Sequence, residues 1–279
     1  LEAANKDEKK GADHTGIFFE GENGKWLWVN RGKKLASDYA IFREKIFADL
    51  KRRNLTTIAM ICGADAFGKS MRDQCVAVAP TAAITIGHEE TYGPRDSDMT
   101  PQLTNIRNRA SVQAVINPGF GQGPAIVTRN YRQLGISLPL YQSHGVASKQ
   151  FIDLAGPAAE GVRLPPAALV VTGKLPDNDP QKPVVVNYTQ TYQQKTGQPV
   201  STFGGHAYDG LMILVEAMQR AKGMDKSGIR DEIEKTKGYI GTGGIVNMSP
   251  TDHMGLDLSA FRMLENKNGD WTLVPENES

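Results

Sequence analysis

The stretch LTTIAMIC, residues 55–62, followed by GADAFGKSMRDQCVAV, residues 63–78, decides the fold of this chain. The first run is apolar, short and rich in threonine and isoleucine, which predicts a buried strand. The second opens with a turn that contains glycine and then predicts a helix over 68–78. A buried strand that leads through a tight turn into a helix is the repeating unit of parallel α/β sheets.

The same alternation continues along the chain in both directions. An amphipathic helix is predicted before the first strand, with a Ser37 or Asp38 cap and apolar Ile41, Phe42, Ile46, Phe47 and Leu50. After the stretch above, strands are predicted over 82–87, 112–117 and 138–143, and helices over 100–109, 123–134 and 148–154. Thr100 is the predicted cap of the first of these helices. We therefore expect an α/β fold of parallel sheets flanked by helices.

The carboxy-terminal part of the sequence has a different pattern. Five prolines between residues 164 and 183 predict an extended crossing or surface segment. Helices are predicted next over 184–196 and 207–222. The tail predicts strands over 241–247, 256–265 and 271–274, the last two joined by the turn Asn266-Lys267-Asn268-Gly269.

Composition narrows the classes of function. With 279 residues the chain has the length of two packed lobes, and its net charge of +1, from 32 basic and 31 acidic residues, argues against a nucleic-acid partner. No run reaches the roughly 20 apolar residues that a membrane span needs. The two cysteines, Cys62 and Cys75, are too few for a disulfide framework, and their positions predict buried thiols.

One motif offers a rival function. Residues 63–70, GADAFGKS, match the phosphate-loop pattern GxxxxGK[ST] between a strand and a helix, which is typical of nucleotide hydrolases. However, Asp65 and Phe67 put a carboxylate and a bulky ring where a phosphate must approach the backbone. No later predicted strand ends in the acidic residue that would hold magnesium. A hydrolase is kept as the alternative, and we predict a protein that is not an enzyme and needs no cofactor or metal.

Several linked segments, read in order, carry a family resemblance. They are ADAFGKS (64–70), YGPRDSDMTPQL (92–103), PLYQSHGVAS (139–148), AGPAAEGV (155–162) and PVSTFGGHAYDG (199–210). Together they resemble the leucine/isoleucine/valine-binding family of type I periplasmic binding proteins, and most closely its aromatic-acid-binding branch. The resemblance implies two α/β lobes with a ligand in the cleft between them. It also implies a periplasmic protein, exported with a signal that this chain lacks, and an ABC transporter permease in the inner membrane as partner.

The resemblance covers roughly Lys25 to Val274 and leaves the beginning of the first lobe without a counterpart. We interpret residues 1–30 as a divergent remnant or linker that is weakly structured over 1–25. Residues 31–198 are then the carboxy-terminal lobe, 199–247 a returning part of an incomplete amino-terminal lobe, and 248–279 the closing strands.

The resemblance also implies ligand contacts. Phe67, Phe120 and Phe203 match positions where the family places aromatic rings against the ligand, although core packing is an equally good reading of the first two. The ligand-binding residues expected from this match are Phe67, Phe120, Gly121, His144, Gly145, Phe203 and Gly204.

His144 guides the expected ligand. Relatives that bind α-amino acids usually have an acidic residue here, which pairs with the ammonium group, and an imidazole does not replace that charge. The expected ligand is therefore a small carboxylate, either an aromatic acid or a compound like a branched-chain amino acid. A ligand-sensing regulatory domain of the same family is a further alternative.

Overall fold

A computed structural model describes residues 16–20, 26–30, 45–223 and 225–275 of the chain. Its central unit is the predicted one: strand β3 (Thr57–Gly63) leads into helix α2 (Ala66–Val78). β3 is buried along almost its whole length because sheet neighbours lie on both sides and helices cover both faces. The helix preceding β3 spans 45–52 in the described residues and is called α1 here. The predicted cap at Ser37 or Asp38, with Ile41 and Phe42, lies outside them.

A seven-stranded sheet forms the middle layer. Five of its strands are parallel: β3, β4 (Thr85–Tyr92), β5 (Ala114–Asn117), β6 (Leu140–Gln142) and β7 (Arg163–Leu164). The antiparallel strands β10 (Leu264–Lys267) and β11 (Asp270–Leu273) extend it at one edge. The spatial order is β11-β10-β7-β6-β5-β3-β4. The α/β fold with a mostly parallel sheet is therefore confirmed.

Helices cover the two faces of this sheet. α3 (Thr100–Arg107), α4 (Gly123–Gln133) and α5 (Lys149–Ala155) bury their apolar sides in one core, and α1 and α2 bury theirs in the other. Alternate residues of β3 divide between the two cores: Ala59 and Ile61 enter the first, and Ile58, Met60 and Cys62 enter the second. This alternation follows from the two-residue period of a strand.

For the first part of the proline-rich segment, the surface alternative of the prediction is wrong, and the extended crossing stays a prediction. Residues 164–169 are all buried, and Leu169 and Val171 belong to a short 3-10 turn, Ala168–Lys174, that packs into the first core. The prolines cannot continue a helix, but the apolar residues between them still find a place in the core. Helix α6 (Lys182–Thr196) follows and ends at Gly197, which is left-handed at φ 67°.

A smaller group of elements follows α6. Helix α7 (Thr202–Ala221) packs against α8 (Lys226–Glu234), and strands β8 (Tyr239–Ile240) and β9 (Ile245–Val246) form a short antiparallel hairpin. α7 begins five residues before the predicted helix start because Ser201 accepts a hydrogen bond from the Gly204 amide. The single strand predicted over 241–247 is wrong, since a turn at 241–244 splits the region into two strands.

Three further boundaries differ from the sequence predictions. β4 runs to Tyr92, so His88, Glu89 and Glu90 lie within an edge strand, where one side of the ladder faces solvent and polar residues are tolerated. Met99, not Thr100, caps α3. The strand predicted over 256–265 is wrong in its first half, which contains a 3-10 turn, Leu258–Ala260.

The amino-terminal part has strand structure where weak structure was predicted. β1 (Gly16–Glu20) and β2 (Trp26–Asn30) pair as an antiparallel hairpin, with Phe18 opposite Trp28 in register. The rest of residues 1–44 lies outside the described part. None of the helices in the described ranges is both long and apolar enough to cross a membrane.

Candidate functional site

Three of the predicted residues meet at the carboxyl edge of the parallel strands. Phe67 lies just after β3, Phe120 after β5 and His144 after β6. The ring centroid of Phe67 is 6.0 Å from that of Phe120 and 6.0 Å from that of His144. This edge is where open α/β sheets bind ligands, because the loops there extend beyond the ends of the strands.

Two more rings extend the group. Phe203, in the first turn of α7, meets Phe120 edge-to-face at 6.1 Å between centroids, and Phe261 meets His144 at 5.9 Å. We call Phe67, Phe120, His144, Phe203 and Phe261 the ring cluster. Phe203 is 61% exposed and Phe120 49% exposed, so the cluster presents apolar surface to solvent. Exposed rings grouped in this way are typical of a binding site and not of a core.

Hydrogen bonds between the strand ends hold the loops beneath the cluster. The Gly63 amide donates to the Pro118 carbonyl at 2.8 Å, and the Ala64 amide donates to the Tyr92 carbonyl at 2.8 Å. The Ser143 hydroxyl donates to the Gly119 carbonyl at 2.5 Å. The loops after β3, β4, β5 and β6 are thereby tied to one another, and the rings they carry are held in position.

Glycines permit the close approach of these loops. A Cβ at Gly119 would lie 2.0 Å from the Tyr92 hydroxyl, and one at Gly145 would lie 3.1 Å from the Phe120 ring. Gly121 has a φ of 71°, a left-handed conformation that glycine adopts without strain. The predicted Gly204 has a different role here, because its amide donates to the Ser201 hydroxyl oxygen and caps α7.

The electrostatics of the cluster centre on two histidines. Burial, with the nearby charge of His206 as a second cause, lowers the pKa of His144 to about 4. Burial also lowers the pKa of His206, while Asp209 acts in the opposite direction. His144 is therefore a neutral imidazole at neutral pH, able to donate one hydrogen bond and accept another.

Asp209 fixes the loop beside His206. Its carboxylate accepts hydrogen bonds from the Thr242 amide at 2.9 Å, the Thr242 hydroxyl at 3.0 Å and the Gly243 amide at 2.8 Å. A Cβ at Gly243 would lie 2.5 Å from the His206 ring. The 241–244 turn thus packs directly on α7 and limits the positions open to His206.

The phosphate-loop pattern has a structural explanation. The Asp65 carboxylate accepts the Gly68 amide at 2.8 Å and so caps the amino terminus of α2 with a residue of the chain itself. A Cβ at Gly68 would lie 2.1 Å from the Gly63 carbonyl oxygen, so both glycines of the motif serve a tight strand-to-helix turn. The geometry does not favour an anion at these amides.

Two further observations concern possible metal ligands and the two cysteines. Among residues 45–223 and 225–275, no group of three or more His, Cys, Asp or Glu side chains could hold a metal ion. Cys62 and Cys75 are buried, as predicted, and burial raises the pKa of the Cys62 thiol. A protonated, buried thiol is a poor nucleophile.

Phe261 is the residue of the cluster that the sequence did not reveal. It reaches the site through an isolated antiparallel bridge with Ala167, and this pairing joins segments far apart in the chain. His206, whose charge acts on His144, lies in α7, and its proximity to His144 depends on how that helix packs. No local sequence pattern encodes either contact.

Comparison with known proteins extends these observations. The model of the periplasmic binding protein family matches residues 44–269. The Leu/Ile/Val-binding protein homolog 3 of Brucella melitensis is 21% identical over 185 residues, which are 66% of this chain and 47% of that protein. The chain therefore spans about half the length of this relative.

Solved structures are similar over most of the chain. An extracellular ligand-binding receptor from Rhodopseudomonas palustris HaA2 is 26% identical, with a TM-score of 0.78 over 85% of this chain and 67% of that one. A branched-chain amino acid transporter substrate binding protein from Streptococcus pneumoniae, solved with isoleucine, is 19% identical, with a TM-score of 0.66 over 83% and 63%. Since the family model covers well over half of its residues, this chain belongs to the periplasmic binding protein family.

Proposed function

We propose that this chain is the solute-binding component of an ABC transporter and that it captures a small aromatic carboxylate at the ring cluster. The observation that carries the proposal is the convergence of Phe67, Phe120, Phe203 and Phe261 around His144. Family membership supports a solute-binding role, a periplasmic location and a membrane permease as partner. The cleft would lie between the main sheet and the group formed by α7, α8 and the β8–β9 hairpin.

The apolar part of the ligand follows from the rings. Aromatic side chains attract an aromatic ligand through offset or edge-to-face contacts, each worth about 0.5–1.5 kcal/mol beyond burial of area. Phe120 and Phe203 already meet edge-to-face at their exposed sides. A planar ring that joins this group gains contact with several side chains while the cluster reorganises little.

The charged part of the ligand follows from the amino terminus of α7 and from His144. Phe203 lies in the first turn of α7, which contains no acidic residue. Helix amino termini carry partial positive charge, which stabilises an anion nearby. A neutral His144 donates a hydrogen bond to a carboxylate without requiring a proton from solvent.

An α-amino acid is a poorer match for the same reasons. Its ammonium group needs an anionic partner, and His144 is not one. The Asp65 and Asp209 carboxylates already accept backbone amides in a helix cap and in the 241–244 turn. The isoleucine in the Streptococcus pneumoniae structure therefore does not define the ligand class expected here.

Calorimetry tests this proposal. We expect benzoate or 4-hydroxycinnamate to bind and to raise the unfolding temperature, because a ligand specific for the native state stabilises it by mass action. Leucine and magnesium-ATP serve as comparison ligands. Binding of leucine alone would restrict the proposal to amino-acid transport, and stabilisation by magnesium-ATP alone would favour the hydrolase and contradict the proposal.

A matched pair of variants locates the binding site. Phe203→Ala removes an exposed ring of the cluster, and we expect the Kd for the aromatic acid to rise about 3- to 10-fold. Leu154→Ala removes an exposed apolar side chain at the end of α5, away from the ring cluster, and should leave the Kd unchanged. Equal effects of the two variants would place the ligand elsewhere.

A further inference from the structure

The contacts of the ring cluster form a series that begins on α7 and ends close to β10. Phe203 meets Phe120, which meets Phe67. His144 then joins Phe67 to Phe261. Phe203 belongs to α7, whereas Phe261 lies in the segment just before β10. The spacing between α7 and this segment therefore sets the room between the rings at the two ends of the series.

The 241–244 turn packs against both α7 and the segment that carries Phe261. On the side of α7, the Asp209 carboxylate accepts hydrogen bonds from two amides of the turn. On the other side, a Cβ at Gly244 would lie 2.8 Å from that of Ala260, the residue before Phe261. The turn is therefore a spacer between the two segments.

One buried side chain holds this turn in place. The Nε2 group of Gln181 donates a hydrogen bond to the Gly241 carbonyl at 2.9 Å, and Gln181 is 1% exposed. The Oε1 atom of Gln181 accepts a hydrogen bond from Arg262 at 3.3 Å. Because Arg262 directly follows Phe261, a single amide joins the turn to the segment of the last ring.

Gln181 is itself fixed by its neighbours. Its backbone amide donates to the Asp179 carboxylate at 2.9 Å, and the same carboxylate accepts a hydrogen bond from Arg262 at 2.9 Å. The backbone amide of Arg262 donates to the Pro166 carbonyl at 2.9 Å, which ties the arginine to the buried proline-rich segment. These bonds hold the backbone at Gln181 and the partner of its Oε1 atom in fixed positions.

An amide side chain suits this position chemically. It presents an acceptor to the positively charged Arg262 and a donor to the Gly241 carbonyl. The charged donor polarises the amide and so strengthens the hydrogen bond that its NH2 group donates. A glutamate would keep the contact with Arg262 but would turn a second acceptor toward the Gly241 carbonyl. A methionine, which has a similar length, would form neither hydrogen bond.

We propose that Gln181 is a positioning residue that determines the thickness of the ligand accepted at the ring cluster. It acts through the 241–244 turn, which holds α7 and Phe203 at a fixed spacing from Phe261. A planar ring is thin, so it joins the cluster with less displacement of α7 than a globular group requires. The inference rests on the proposed function, because Gln181 selects a ligand only if the cluster binds one.

Two carboxylates of different shape test this selection. The wild-type protein should bind planar benzoate more tightly than globular adamantane-1-carboxylate, as measured by titration calorimetry. In Gln181→Met, we expect the Kd for benzoate to rise about 3- to 10-fold through the loss of a buried hydrogen bond, and the preference for benzoate to shrink by a similar factor. Gln194→Met, at an exposed position of α6, is the matched control and should leave both Kd values unchanged.

Spin labels test the spacing without a ligand. Nitroxides attached to p-acetylphenylalanine at Gln150 of α5 and Gln219 of α7, two exposed positions, report the distance between these helices. Double electron–electron resonance should give a longer or broader distance distribution in Gln181→Met than in the wild type or in Gln194→Met. Gln181→Glu, which keeps the contact with Arg262, is the second variant and should behave like Gln181→Met. Circular dichroism checks that each protein is folded.

The outcomes separate this inference from the proposed function. Equal rises in the two Kd values would show a general loss of structure and would contradict a selective role of Gln181. An unchanged distance distribution in both Gln181 variants would contradict its role in the spacing. Failure of the wild type to bind either carboxylate would contradict the proposed function and with it the selection, and the spin-label distances would still show whether Gln181 sets the spacing.

Discussion

The Phe67 and His144 rings lie 6.0 Å apart, although they follow different strands, Phe67 in the first turn of α2 after β3 and His144 in the turn after β6. They meet because β3 and β6 point the same way in one sheet, with β5 between them. Their loops therefore leave the same edge. This pairing brings an apolar ring and a neutral hydrogen-bonding ring to one place, a combination that suits a ligand with one aromatic and one polar end.

A negative charge introduced at the polar contact tests the nature of the ligand. We predict that His144→Glu weakens binding of an aromatic acid at least tenfold at pH 7.5, because the new carboxylate repels that of the ligand and also removes a donor. Titration calorimetry measures the change, with His144→Gln as the neutral control that keeps a donor. An unchanged Kd for the glutamate variant would show that residue 144 lies outside the site.

The pH dependence of stability provides a ligand-free test. The pKa of His144 falls from an ordinary 6.5 in the unfolded chain to about 4 in the fold. The unfolded state therefore binds more protons between these values, and the contribution of His144 is fully present above pH 6.5 and lost as pH falls toward 4. Its size is up to about 3 kcal/mol.

Urea unfolding at pH 7.5 and pH 5 measures this effect. The free energy of unfolding of the wild-type protein should fall more between the two pH values than that of His144→Gln, which has no proton to gain at this position. Parallel losses in both proteins would mean that His144 is protonated as readily in the folded state as in the unfolded chain.

Some of this structure was predictable from sequence, and the reasons differ by element. β3 was recognisable because helices cover both its faces and almost every residue must be apolar. The end of β4 was missed because it is an edge strand, where Arg72 pairs with Glu89 at 2.6 Å and His88 with Glu90 at 2.8 Å. Such polar partners make a strand resemble a loop in sequence.

The candidate site, too, was predictable from the sequence only in part. Phe67, Phe120 and His144 could be proposed because each follows a strand at the edge where α/β sheets bind ligands. The first turn of α7 contains two glycines after Phe203, so its helical structure was hidden by residues that ordinarily disfavour helices. The position of Phe261 depends on a bridge to Ala167, a long-range pairing that composition and periodicity do not encode.

Close packing beneath the site gives a stability prediction. Gly119→Ala would place a methyl group 2.0 Å from the hydroxyl of buried Tyr92, which also accepts a hydrogen bond from Asn117 at 3.2 Å. We expect a loss of about 1–3 kcal/mol in the free energy of unfolding, together with weaker ligand binding. Gly210→Ala is the control: nothing lies within 4 Å of the new methyl group in α7, and alanine should stabilise the helix by about 0.5–1 kcal/mol. Equal stabilities of the two variants, measured by urea unfolding, would contradict this packing.

A buried ionic network joins α1 to the sheet. The Asp49 carboxylate is 1% exposed and accepts hydrogen bonds from the Tyr141 hydroxyl at 2.6 Å, Arg52 at 2.7 Å and Arg163 at 3.2 Å. Arg163 also pairs with Glu265 of β10 at 2.6 Å. The Asp49 carboxylate thus connects α1 with β6 and β7. Arg163 links this group to β10 at the antiparallel edge of the sheet.

Removal of this carboxylate should be costly. We predict that Asp49→Ala lowers the free energy of unfolding by about 3–5 kcal/mol, because it leaves the partly buried Arg163 with less compensating charge and the Tyr141 hydroxyl without its acceptor. Asp153→Ala is the matched control, since Asp153 pairs with Lys149 at 2.8 Å on the exposed surface of α5 and should change stability by less than about 1 kcal/mol. Denaturant midpoints of the two variants measure the difference. A small effect at Asp49 would mean that water replaces the carboxylate at this junction, and α1 would then be held mainly by Ile46, Phe47 and Leu50.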